Sequence, residues 1–351
     1  MLPNARSREV AVSAYYALSG RGGGFLQHKR EYHRRREEME REFLRRAETD
    51  GSLMRRVACP ACGDHTGAFA FASPVGFNFD RCAADGTIYM NPAPTEESLG
   101  ELYNHPGETY LWTAGGARGV ENVKASDQED LDALSRMLGT RVGGRLLDIG
   151  CATGGFLLSA RNVFDVEGVE LNATTAEIAR AHGLKVTIGR LADFSTDGGF
   201  DVLTLLQVFE HLVDGAALLR AARRALKPGG ALYINMPAVE TASFDLLGRH
   251  HVHVASFAHV SLYTKRGVEK LAERCGFRVE SHEYCGGLDL AVHDLLTWRL
   301  SRAEFSHRMA GYRSRLYFAS NAIERILPMS ARRRLLPSGN ESYQRMILRP
   351  C

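Results

Sequence analysis

The stretch Arg145-Leu-Leu-Asp-Ile-Gly-Cys-Ala-Thr-Gly-Gly-Phe-Leu157 constrains this chain more than any other. An apolar run ends in Asp148, passes through Gly150 and Gly154, and continues as a helix-compatible segment to Phe164. That order predicts a strand, a glycine-rich turn and a helix. Glycine carries no Cβ and tolerates positive φ, so such a turn lets backbone approach a ligand closely. It also aims a helix N-terminus at that ligand. A second apolar run, Val166-Glu-Gly-Val-Glu170, ends in an acid. Glu170 lies where a nucleotide-binding fold places a carboxylate for ribose hydroxyls, roughly 20 residues on.

Two cofactors compete for this pattern. A dinucleotide site needs G-x-G-x-x-G, with pyrophosphate against the helix. Here the corresponding positions read Gly150, Ala152 and Gly154, and Asp148 precedes the first glycine. A carboxylate there repels pyrophosphate and suits a cation, such as the ammonium of a methionine moiety. The reading is therefore S-adenosyl-L-methionine rather than NAD.

With Phe200-Asp-Val-Leu203, Glu210-His211, Leu226-Lys-Pro-Gly-Gly230, His259-Val-Ser-Leu-Tyr-Thr264 and Cys275-Gly-Phe-Arg-Val279 in order behind it, the turn resembles that of class I S-adenosylmethionine-dependent methyltransferases. The resemblance spans roughly residues 140–280 and departs at Ala152, where the family usually has glycine. It implies an α/β fold: a Rossmann-like seven-stranded sheet, mostly parallel with the last strand antiparallel. It speaks to fold and cofactor, not to the acceptor.

Strands are expected at 145–149, 166–170, 185–188, 200–206, 231–236, 277–284 and 342–348. Thr174-x-x-Glu177 reads as a capping box. Asp214 to Leu226 reads as a helix stopped by Lys227-Pro-Gly-Gly. Segment 286–338, rich in Leu, Tyr, Phe and Arg, reads as a helical insertion that could cover an active site or make a homodimer contact. Before the fold stand a charged helical segment (1–56), a compact unit (57–94) and a helical lead-in (95–140), with the methyltransferase domain at 141–351. Between His28 and Arg46 the pairs Glu31–Arg35, Glu37–Arg41 and Glu42–Arg46 are spaced i,i+4, the pattern of a solvated helix.

The chain has 351 residues and a formal net charge of only +3, which makes no general case for nucleic acid. No apolar run reaches the roughly 18 residues of a membrane span. The N-terminal residues lack the apolar segment of a signal peptide. Seven cysteines, three of them in metal-like spacing, point to a reducing cytoplasm rather than a disulfide framework.

Cys59-Pro-Ala-Cys62 is a knuckle able to grip one Zn²⁺, and Cys82-Ala-Ala-Asp85 repeats the spacing with an acid last. Cys59, Cys62 and Cys82 are expected to hold a structural zinc, with Asp85 or His65 as the fourth ligand. The unit ends in Tyr89-Met-Asn-Pro92 and resembles a zinc-ribbon-like N-terminal addition of some methyltransferases.

Cofactor contacts are expected from Asp148, Gly150, Cys151, Ala152 and Gly154, from Glu170 and Leu171, from Leu191 and Ala192, and from Gln207. Such ligands gather at the carboxyl ends of strands. For a base, His211 follows Glu210 at a strand end. In similar ubiquinone-pathway O-methyltransferases that segment carries two acids and a His that bind a divalent metal. Gln207 replaces the first acid here, which argues against a metal. His253 and His259 stand on a loop that faces the substrate, and His259 is the leading candidate for base or anchor. Tyr263 and Tyr233 are weaker ones. Zinc-containing sugar C-methyltransferases also resemble this architecture. Ser256 and Ala258 stand where their Tyr and Glu precede the His, which disfavours C-methylation. The expected function is methyl transfer to O or N of a small molecule, such as a glycan precursor or secondary metabolite. The alternatives are a nucleic-acid or protein methyltransferase that docks through its N-terminal unit, and a non-catalytic cofactor-binding subunit.

Overall fold

The computed structural model describes residues 23–106, 125–193, 199–241, 244–245, 248–251, 253–254, 257–285 and 343–351. The expected insertion at 286–338, the Gly115-Gly116 break and the basic run at Arg332 lie outside the described residues. In chain order come α1 (Gly23–Thr49), β1 (Met54–Arg55), β2 (Ala68–Ala72), β3 (Asn78–Arg81), β4 (Ile88–Met90), β5 (Ala93–Pro94) and α2 (Glu96–Asn104). Then follow α3 (Ala125–Leu138), β6 (Arg145–Ile149), α4 (Gly155–Ala160), β7 (Asp165–Glu170), α5 (Ala173–Ala181), β8 (Val186–Ile188) and β9 (Phe200–Leu206). The last elements are α6 (Gly215–Ala225), β10 (Leu226–Pro237), β11 (Ser261–Leu262), α7 (Lys265–Arg274), β12 (Phe277–Cys285) and β13 (Tyr343–Pro350).

The seven-stranded sheet has the order β12-β13-β10-β9-β6-β7-β8. β6 to β10 pair parallel, and β13 runs antiparallel to both β10 and β12. The expected sheet is therefore observed, with its reversed last strand. Its central strands are apolar on both faces, as sandwiched parallel strands must be. The pleat sends Leu146, Val202, Ala231, Tyr233 and Ile347 into one cluster with α3, α4 and α5. Leu147, Leu203, Leu232, Ile234 and Leu348 point the other way, against α6 and α7.

Two local expectations change. α5 is capped by Asn172, whose side chain accepts from Thr175 N, not by Thr174. An Asn cap two residues earlier serves the first-turn amides instead, so the capping-box pattern is incidental. β10 starts at Leu226, and its register with β9 shifts between Leu226 and Ala231. Lys227-Pro-Gly-Gly thus closes α6 and also forms an irregularity in the strand.

The cysteine-bearing unit is a four-stranded antiparallel sheet, β11-β4-β3-β2. Its fourth strand comes from far along the chain: Ser261 pairs with Tyr89 and Leu262 with Ile88. Asn91 ties the unit together, accepting from Val57 N and donating to Asp80 Oδ2. α1 is less solvated than its charge pattern implied. Met39 and Phe43 are buried with Phe77, Phe79 and Phe257, and Glu40 Oε1 accepts from Phe257 N. The Glu37–Arg41 pair forms as expected, whereas Glu42 pairs with Arg45 and Arg46 with Glu101. No helix among the described residues is long and apolar enough to cross a membrane.

Candidate functional site

The turn after β6 is built by conformation. Gly150 and Gly154 have φ of +77° and +84°. A Cβ on Gly150 would sit 2.5 Å from Val208 Cγ2, and one on Gly154 would sit 2.2 Å from Leu184 Cδ1. Gly150 N and Cys151 N both donate to Val169 O, which pins the turn to β7. Cys151 is buried, with Sγ against Gly168. Among the described residues, Ala152 and Gln207 are the non-glycine positions at positive φ, and both are at this site. Left-handed backbone costs an L-residue roughly 1–2 kcal/mol, and such strain clusters at functional sites.

Glu170 closes the turn from the end of β7. Its Oε2 accepts from Ala152 N at 2.9 Å and its Oε1 from Asn172 N at 2.8 Å. Each oxygen keeps a further lone pair, so the carboxylate is held in place and still able to accept from a diol. Leu171 beside it is exposed, Leu191 is buried and Ala192 is exposed. Gln207 donates its side-chain amide to Asn235 Oδ1 at 3.2 Å.

Asp148 sits differently from the expectation of direct contact with a cation. It is 3% exposed, and Thr204 Oγ1 donates to its Oδ1 at 2.7 Å. Burial raises its pKa to about 7, opposed by the Thr204 bond and assisted by Asp127, Glu170 and Asp130. Two of those neighbours come from α3 and carry no local sequence signal. Asp127 reaches the turn from the side, since a Cβ on Gly155 would lie 2.6 Å from its Oδ2. Asp130 is buried with Tyr233, Asn235 and Arg345. Tyr233 is committed to that network.

A carboxyl whose folded pKa exceeds its unfolded value holds its proton more tightly in the fold. Its stabilising effect is complete below the ordinary 3.8 and is lost as pH rises to about 7. Asp148→Asn keeps an acceptor for Thr204 and removes the titration. Its stability relative to wild type should rise between about pH 4 and pH 7 and level off above. Urea midpoints across that range measure this; a difference independent of pH would sink the assignment.

Beyond β9 the chain makes a short turn, Phe209–His211. Glu210 is 1% exposed, and burial pushes its pKa to about 8. Its Oε1 lies 3.9 Å from His211 Nε2 and 4.0 Å from His259 Nε2. The two imidazole centroids are 4.8 Å apart. His211 Nδ1 faces Ala258 O at 2.7 Å, and His259 Nδ1 faces His253 O at 2.9 Å. Burial holds the His211 pKa down at about 4 and that of His259 well below its usual value. The structure thus brings His211 and His259 together around an acid. His253 is buried behind them, its ring tilted against His251 and edge-on to Tyr343, and it meets His259 through its carbonyl. Tyr263 is fully buried against Phe209.

Cys59, Cys62, Cys82 and Asp85 converge, their ligand atoms all within 4.8 Å of one another. Cys62 Sγ and Cys82 Sγ are 3.5 Å apart, and Cys59 Sγ is 3.6 Å from Asp85 Oδ2. Two matching turns present them: Gly63 N donates to Cys59 O, and Gly86 N to Cys82 O. His65 is exposed and outside the group, and Asp85 is its fourth member. Three sulfurs and one oxygen suit a closed tetrahedral ion.

A family model described as a methyltransferase domain matches residues 124–282. The chain is 37% identical over 112 residues to the ubiquinone biosynthesis O-methyltransferase of Alkalilimnicola ehrlichii, across 28% of this chain and 44% of that one. It is 34% identical over 146 residues to the enzyme of the same name from Xanthomonas oryzae pv. oryzae, across 38% and 59%. The chain therefore spans about half the length of the curated relatives it matches. Among solved structures, it is similar to phosphoethanolamine N-methyltransferase 2 of Haemonchus contortus in complex with S-adenosyl-L-methionine. There the TM-score is 0.48 and the identity 19%, across 75% of this chain and 63% of that one. The seven-stranded sheet has the order and the reversed last strand of the methyltransferase fold, and residues 124–282 within it match a methyltransferase domain.

Proposed function

We propose that this protein transfers a methyl group from S-adenosyl-L-methionine to an oxygen of a small molecule. The observation that carries this reading is the juxtaposition of two parts at the carboxyl end of the sheet. One is the glycine turn braced by Glu170. The other is the Glu210–His211–His259 cluster, reached through Val208, which packs on Gly150. S-adenosyl-L-methionine, when bound, supplies the activated methyl. Gly150, Cys151, Ala152 and Gly154 offer close-approaching backbone, with Leu171, Leu191, Ala192 and Gln207 around them. Glu170 accepts from hydroxyls. Asp148, from beneath, and Asp127, from the side, make the surroundings acidic, which favours a cationic ligand.

His211 and His259 are the accessible members of the cluster, with side chains 24% and 17% exposed. They receive the acceptor oxygen and handle its proton. The similarity to O-methyltransferases supports oxygen as the acceptor atom. Cys59, Cys62, Cys82 and Asp85 hold one structural Zn²⁺. Cysteines committed to a metal rather than to disulfides fit a reducing cytoplasm.

The test has two arms. Purified protein should bind S-adenosylhomocysteine in calorimetry and pass labelled methyl to members of a panel of hydroxyl compounds in preference to amines. His259→Ala should cut turnover by at least about 10²-fold, the lower bound for positioned proton transfer, with cofactor affinity nearly unchanged. Failure of wild type to bind S-adenosylhomocysteine would sink the reading; near-normal turnover of His259→Ala would sink the site.

A further inference from the structure

Asn235 stands where the two halves of the site meet. In the sheet it pairs with Leu206 of β9 on one side and with Arg345 of β13 on the other. Gln207, the next residue after β9, has φ +57°. Its backbone N donates to Asn235 O at 2.8 Å, and its side-chain amide donates to Asn235 Oδ1 at 3.2 Å. Left-handed backbone persists at a non-glycine residue only where the surroundings hold it. Asn235 provides that hold, through its carbonyl and its side chain together.

What holds Asn235 in turn is Asp130, on α3. One carboxylate oxygen of Asp130 accepts from Asn235 Nδ2 at 2.8 Å, from Tyr233 OH at 3.1 Å and from Arg345 Nε at 3.0 Å. Arg345 is permanently charged and ion-paired with this acid. An ionised carboxylate only accepts. It can receive the NH₂ end of the Asn235 amide and not the oxygen end, which leaves Oδ1 facing Gln207. Without the acid, nothing sets which way the amide turns. Its NH₂ would then meet the NH₂ of Gln207, donor against donor.

The consequence reaches both halves of the site. Val208, one residue on, packs on Gly150 of the cofactor turn. Val208 O also accepts from His211 N at 3.0 Å, which closes the turn Phe209–His211. A change of backbone at 207 would therefore move the Val208 contact and His211 with it. We propose that Asp130 is a positioning residue for methyl transfer. By fixing the sense of the Asn235 amide it holds Gln207 left-handed, and so keeps the cofactor turn in register with the acid–histidine cluster. Asp130 works through Asn235, and the acceptor's proton stays with His211 and His259. The reaction that this hold serves rests on the methyl-transfer reading; the hold itself does not.

The test measures hydrogen exchange along the whole chain without cofactor, and S-adenosylhomocysteine affinity by calorimetry, on the same variants. Asp130→Asn keeps the size of the side chain and removes its charge. Amides of 207–212 should exchange at least about tenfold faster than in wild type, and S-adenosylhomocysteine affinity should fall by at least about tenfold. A purely structural acid would loosen α3 and β13 and leave 207–212 as it was. Asn235→Ala leaves Asp130 with Arg345 and Tyr233, so it cuts the same link where Asp130→Asn does not fold, and it should give both losses. Glycine adopts left-handed backbone unaided. Effects of independent sites add, whereas in a Gln207→Gly background Asp130→Asn should cost less than about threefold in affinity. Unchanged exchange at 207–212 in a folded variant, or an undiminished loss of affinity with glycine at 207, would overturn the proposal. Equal S-adenosylhomocysteine binding by wild type and folded Asp130→Asn removes the role of Asp130 and leaves the methyltransferase reading. Faster exchange at 207–212 in a protein whose wild type binds no S-adenosylhomocysteine keeps the hold and removes that reading.

Discussion

Gly150→Val should lose more than tenfold in S-adenosylhomocysteine affinity, at least about 1.4 kcal/mol. Two physical effects act together. The backbone at 150 has φ +77°, which a β-branched residue adopts only with strain. The first side-chain carbon would also lie 2.5 Å from Val208 Cγ2, so the turn or the β9 end must shift. Either shift moves Ala152 N away from Glu170, which braces the turn. Titration calorimetry on folded variant reads the effect. Gly183→Ala serves as the comparison: its φ is also positive, at +78°, but nothing lies within 4 Å of the added carbon. It should bind like wild type. Wild-type affinity in folded Gly150→Val would show that this turn does not carry the cofactor.

Cys82→Ser should abolish zinc binding by the cysteine unit and lower the melting temperature by about 6–12 °C. That range takes about 3 kcal/mol, a fraction of what a structural zinc contributes, at roughly 2–4 °C per kcal/mol. The loss should be felt through the main domain, because Cys59 and Cys82 are buried in the same cluster as Phe209, Tyr263 and Leu271. Thr264 Oγ1 donates to Asp85 O, Lys270 Nζ to Ala84 O and Arg274 to Ala61 O, so the cysteine-bearing turns grip α7 directly. Cys351→Ser, at the exposed chain end, should leave both properties unchanged. Elemental analysis that finds no zinc in wild-type protein made with ample zinc would remove the assignment.

Legibility in the sequence followed physical range. β6 and β9 are found at their expected bounds, because apolar runs ended by Gly or an acid encode buried parallel strands locally. Glu170 stood out in the sequence as a ribose carboxylate, but its bracing of the turn through Ala152 N and Asn172 N did not. The Cys knuckles were readable from spacing, and the choice of Asp85 over His65 was not, since it depends on which side chain turns inward. Asp127 and Asp130 were illegible: an acid near a helix start is ordinary, and only tertiary packing brings α3 to the turn. The partnership of Glu210 with His259 was equally hidden. Forty-nine positions separate them, and no periodicity spans such a gap. His253 shows the opposite failure, a residue promoted by its neighbours in sequence that the fold uses through its backbone carbonyl.

The strand Ser261–Leu262 completes the cysteine-bearing sheet two residues after His259. Linear order presents that sheet as an appendage, a cassette that could be lost or exchanged between relatives. Its pairing denies it that modularity. A chain without residues 57–94 would leave β11 with a bare edge and would strip the cover from Leu262 and Tyr263, in the stretch that carries His259. The amino-terminal unit and the stretch that carries His259 are thus held to each other by strand pairing. Segments about 170 positions apart in the chain make one sheet.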